Sequence, residues 1–85
     1  MMFISGTDLR RMRLKAGKTT VQMAEFAGVK TRKTYENWEK NVGSPSMNQF
    51  IAMAHACGFQ PAALIKMFVE RVDAEDEVDL MSAAV

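Results

Sequence analysis

The stretch Val29–Lys40, VKTRKTYENWEK, threads Tyr35 and Trp38 through Lys30, Arg32, Lys33 and Lys40. Two chemistries suit such a mixture. The rings can pin a helix to a core and leave the cations facing a polyanion, or they can lie open as a stacking surface for unpaired bases. Other reactive residue types are sparse. His55 is the single histidine and Cys57 the single cysteine, and neither has a partner arranged in the sequence to make it a base or a nucleophile. His55 is therefore read as a surface residue and Cys57 as a small core residue. No Gly-rich phosphate loop or catalytic pair of carboxylates is evident, so no enzymatic activity is expected. No Cys/His cluster offers ligands to a metal, no cofactor is implied, and one cysteine forms no internal disulfide.

The elements that position these residues must come from 85 residues, enough for one small domain with an economical core. Eight Met, two Pro and few runs of β-branched residues favour an all-α fold. Apolar runs fall short of a bilayer span and no secretory leader is evident, so a soluble, cytoplasmic protein is expected. The net charge of +1 hides a dipole. Residues 1–45 hold nine Lys/Arg against four Asp/Glu, or +5, and residues 46–85 hold two against six, or −4. A cationic half of this kind points to a polyanionic partner.

Punctuation predicts five helices. The first is expected from a cap at Thr7 or Asp8 to Gly17, with Leu9, Met12 and Ala16 inward. The second opens on a Thr19/Gln22 capping box and ends at Gly28, with Ala24 and Ala27 allowing close helix crossing. The third runs from a Thr31 cap to about Lys40. Tyr35 and Trp38, three apart, share one face, and Lys33, Glu36, Asn37 and Lys40 follow helical spacing on the other, so the rings are expected to point inward. The fourth follows Pro45 with a Ser46/Gln49 capping box, ends at Gly58, and turns Met47, Phe50, Ala54 and Cys57 inward. The fifth starts at Pro61, uses Leu64, Ile65 and Phe68, and is expected to extend to about Val72.

A short helix with Ala at its centre and Gly at its end, a tight turn, and a second helix anchored by aromatics make a helix-turn-helix pattern. The spacing Thr20-xxx-Ala24-xxx-Gly28, then TYENWEK, then SPSMNQFIAMAHACG, resembles the Cro and lambda-repressor-type (XRE) DNA-binding domain over about residues 7–68. The interval from Gly28 to Trp38 is one residue longer than is usual there, so the turn around Lys30 is expected to be enlarged. The resemblance implies a five-helix lambda-repressor-like bundle with helices 2 and 3 as the helix-turn-helix. It implies that the third helix enters the major groove, with Thr31, Arg32, Lys33 and Asn37 at base-reading positions. Arg or Lys donates to guanine O6 and N7, and Asn pairs with adenine. Thr19, Thr20, Lys40 and Asn41 are expected on the DNA backbone, where the amides and dipole of a helix start favour phosphate. Arg13 and Glu39 resemble the family's charge pair between the first and third helices, worth at most about 1 kcal/mol if exposed. For Glu36, an intrahelical pair with Arg32 or Lys40 is favoured over reading cytosine.

The expected function is a sequence-specific regulator of transcription on double-stranded DNA, a repressor of phage or mobile-element type that binds an inverted repeat as a homodimer at the nucleoid. The alternative is a protein-interaction module, an antitoxin or inhibitor, that grips a protein partner through the C-terminal tail. Residues 1–72 form the DNA-binding domain in this reading. Residues 73–85, DAEDEVDLMSAAV, form an acidic tail that is either disordered and solvated or docks Val78, Leu80 and Met81 on a second protomer.

Overall fold

The computed structural model describes residues 3–84, with side chains through residue 74. Five helices follow in chain order: α1 (Gly6–Ala16), α2 (Thr20–Ala27), α3 (Arg32–Glu39), α4 (Met47–Ala56) and α5 (Pro61–Ala84). No strand occurs among the described residues. α2 packs on both α3 and α4, α1 on α3, and α4 on α5. The core at their centre is built from Leu9, Met12, Met23, Ala24, Tyr35, Trp38, Phe50, Met53, Ala54 and Phe68. None of the described helices is long and apolar enough to cross a membrane.

The caps are the residues whose side chains reach the orphan amides of each first turn. Thr19 with Gln22 and Ser46 with Gln49 both form complete capping boxes. α1 starts earlier than expected. Its cap is Ser5, not Thr7 or Asp8, and Asp8 is the reciprocal acid of a Ser5/Asp8 box. That Ser-x-x-Asp spacing is the same signal that marks α2 and α4.

Two further differences have physical causes. Met47 lies at the first position of α4 and is 58% exposed, while Met53 is fully buried, so the inward stripe of α4 runs Phe50–Met53–Ala54 with Cys57 half-buried. α5 does not stop near Val72 but continues to Ala84. No Pro or Gly interrupts residues 62–85, and the extension contains Ala, Glu, Leu and Met, which are good helix formers. Its side chains beyond residue 74, and with them the docking of Val78, Leu80 and Met81, lie outside the described residues.

Candidate nucleic-acid interface

The site is α3 and the surfaces that flank it. Gly28 ends α2 in the left-handed conformation, φ 75°, and the Val29 amide donates back to the Ala24 carbonyl at 3.1 Å. Lys30 and Thr31 then lead directly into α3. Thr31 occupies the N-cap position but makes no cap bond, since its hydroxyl lies 3.3 Å from that of Thr34.

Tyr35 is completely buried and Trp38 nearly so, with ring centroids 6.1 Å apart in an edge-to-face arrangement. The Tyr35 hydroxyl donates to the Leu9 carbonyl at 3.3 Å, which fastens α3 to α1. Burial, then the nearby Glu39 carboxylate, push the Tyr35 phenol well above its ordinary value. With the rings inside, Thr31, Arg32 and Lys33 are exposed at the start of α3, Asn37 is half-exposed one turn later, and Lys40 is exposed at its end.

The underside of α3 is clamped at its C-terminal end. Arg13 meets Glu39 in two parallel contacts, Nε to Oε2 at 2.7 Å and Nη2 to Oε1 at 3.2 Å. Burial alone raises the Glu39 carboxyl, but the Arg13 guanidinium and the Tyr35 hydroxyl more than offset it, and the net shift is below the ordinary carboxylate value. Asn41 takes the left-handed conformation at φ 63°, and its Oδ1 accepts from the Gly6 amide at 2.8 Å. Gly6 packs so closely on the end of α3 that a Cβ there would overlap the Glu39 carbonyl oxygen.

Between α1, the start of α2 and α3 lies a cleft of about 350 Å³ lined by Arg10, Arg13, Thr20, Glu36, Glu39 and Lys40. Here Glu36 departs from its expected pairing. It forms no ion pair with Arg32 or Lys40 but accepts from the Thr20 hydroxyl at 3.1 Å, across the helix-turn-helix rather than along α3. Thr19 is occupied by its capping box, so the start of α2 presents the Thr20 and Val21 amides, which lack intrahelical acceptors.

This arrangement has two short helices held at a glycine turn, with the second pinned by buried rings and its first turn turned outward. A helix-turn-helix family model matches residues 9–64. The chain belongs to the XRE-type helix-turn-helix family. No curated protein and no solved structure matches the chain. The XRE-type domain makes the protein a DNA-binding transcriptional regulator of a family that is generally non-enzymatic. His55 is exposed. Burial raises the Cys57 thiol, which points at Met23 Sδ at 3.6 Å, opposite to what a nucleophile needs.

Neither the Thr20–Glu36 bond nor the Asn41–Gly6 bond was visible in the sequence, because both join residues distant along the chain. Arg10 of α1 joins Lys40 in lining the cleft.

Proposed function

We propose that this XRE-type protein is a repressor of phage or mobile-element type that binds an inverted repeat as a homodimer, with α3 in the major groove. In this reading Thr31, Arg32, Lys33 and Asn37 read base edges. Lys40, Asn41 and the amides at the start of α2, those of Thr20 and Val21 after the Thr19 cap, hold phosphates on either side. The observation that carries it is the burial of Tyr35 and Trp38 beneath a helix whose Arg32 and Lys33 stand exposed. An α-helix fits the major groove, and side chains of its first turn reach base edges. One such domain contacts too little DNA for tight binding, which favours two-fold pairing on half-sites about one helical turn apart.

Selection from random duplexes, followed by titration at several salt concentrations, tests it. The selected motif is expected to be an inverted repeat. Arg32→Ala is expected to lose about 1–3 kcal/mol of discrimination at one base position, whereas Lys40→Ala weakens all sequences alike and lowers the salt slope by about one. A sequence preference that survives Arg32→Ala unchanged rejects Arg32 as a reader.

A further inference from the structure

α1 carries cations on two sides. Arg10 and Arg13 turn toward α3 and line its cleft. Arg11 and Lys15 lie on the other side, one helical turn apart, along a second cavity of about 350 Å³ between α1 and α5. The two cavities share no lining residue.

The floor of the second cavity is part of the core, formed by the buried side chains of Met12, Phe50 and Phe68. Half-buried Phe59 and Leu64 and the 54% exposed Met67 extend that apolar lining toward the surface. Asp8 and Arg71, the first lining residue of α1 and the last of α5, meet in two bonds, Nη1 to Oδ1 at 2.9 Å and Nη2 to Oδ2 at 3.0 Å, so the cavity's one acid is already neutralised. Arg11 and Lys15 are exposed and form no ion pair among the described residues. The rim therefore holds two positive charges that nothing described offsets.

A concave, mainly apolar site with a few charges on one edge is the usual form of a small-molecule pocket, and the volume falls within the range of about 300–1,000 Å³ for such sites. Inorganic phosphate alone would leave the apolar floor in water, and a neutral hydrocarbon would leave both cations unused. A molecule with an apolar body and an anionic head satisfies both parts.

We infer that the α1/α5 cavity binds a small amphipathic carboxylate, its apolar body on Met12, Phe50 and Phe68 and its head at Arg11 and Lys15. The ligand and a duplex on α3 occupy different surfaces of the chain, so this site stands apart from the DNA-binding reading.

Octanoate titrated into the full-length protein without DNA tests the site, followed through the methyl signals of 13C-labelled methionine, with circular dichroism to confirm folding. Saturable shifts are expected at Met12 and Met67, while Met47, on a separate apolar patch beside Phe3 and Val69, stays in place. Arg11→Gln with Lys15→Gln is expected to weaken octanoate about tenfold at low salt and to leave the affinity for octanol unchanged. Met67→Glu, which sets a like charge at the rim, is expected to prevent saturation. Octanoate that binds the double variant as tightly as the native chain, or inorganic phosphate that produces the same shifts, overturns the amphipathic carboxylate as the ligand. Shifts at Met47 in place of Met12 and Met67, or none at any methionine, overturn the site itself, and neither result bears on α3.

Discussion

Arg13 Nε lies 2.7 Å from Glu39 Oε2, and only 16% and 11% of the two side chains are exposed. An exposed pair is worth little, but this one is largely out of water, and its loss strands a carboxylate. Arg13→Ala is therefore expected to cost about 2–3 kcal/mol of stability, a fall in Tm of roughly 10–20 °C. Thermal denaturation measures it. A loss under about 1 kcal/mol places the pair back among solvated surface contacts.

Stability should depend on pH at both ends of the scale. For Glu39 and Asp8, burial raises each carboxyl, but Arg13 and Tyr35 in one case and Arg71 and Ser5 in the other lower it more. Folded values below the unfolded ones mean stability that is complete above the ordinary values of 4.5 and 3.8 and is lost as pH falls through the lower folded values. Tyr35 has the opposite sign, raised by burial, so its contribution is full below its ordinary value of 10.0 and is lost as pH rises above it. Denaturant midpoints across pH should fall in acid, less so in Asp8→Asn, and fall again in strong alkali, less so in Tyr35→Phe. Midpoints that stay level below pH 4 contradict the acid half.

Gly6→Ala tests the contact between the start of α1 and the end of α3. The new methyl meets backbone, the Glu39 and Trp38 carbonyls, which move only with their helix. Overpacking of this kind costs about 1–3 kcal/mol. Because α3 must shift to make room, affinity for the selected operator is expected to fall along with the denaturant midpoint. An alanine variant as stable as the native chain shows that the helices are not in close contact here.

The parts of this fold that were legible in the sequence are those governed by neighbours along the chain. Capping boxes at Thr19 and Ser46 need only a residue three positions away, and the three-residue spacing of Tyr35 and Trp38 already assigns both rings to one face. Ser5 was missed because Thr7 and Asp8 also suit a cap, and the choice depends on Gly6 fitting under α3. Glu36 was misassigned because helical spacing offers Arg32 and Lys40, whereas Thr20, 16 residues away, is brought to it by the turn at Gly28. The end of α5 was misplaced because an acidic composition was weighed above the absence of any helix breaker. Long-range polar contacts have no periodicity to announce them.

Trp38 is the single tryptophan, so its fluorescence reports on one position. Only 7% of it is exposed, which is expected to give blue-shifted emission and little quenching by iodide. Saturating duplex DNA should leave the emission wavelength in place, because the ring lies beneath α3 rather than against bases. Stacking on bases, the other use for an aromatic in a basic segment, would quench it strongly instead.

Glu36 sets an acid among the groups proposed to face phosphate. The Thr20 hydroxyl donates to its Oε2 at 3.1 Å, so the carboxylate is held at the junction of α2 and α3 rather than swung away toward α3's own cations. Glu36→Gln keeps an oxygen to accept from Thr20 and removes one negative charge. A unit charge about 6 Å from a phosphate in water is worth about 0.7 kcal/mol, so the variant is expected to bind every duplex about threefold more tightly at low salt, with the gain fading as salt rises. If Glu36 accepts from a cytosine amine instead, the variant loses preference at one base pair without a general gain, and the two outcomes separate in a single titration against matched and mismatched operators.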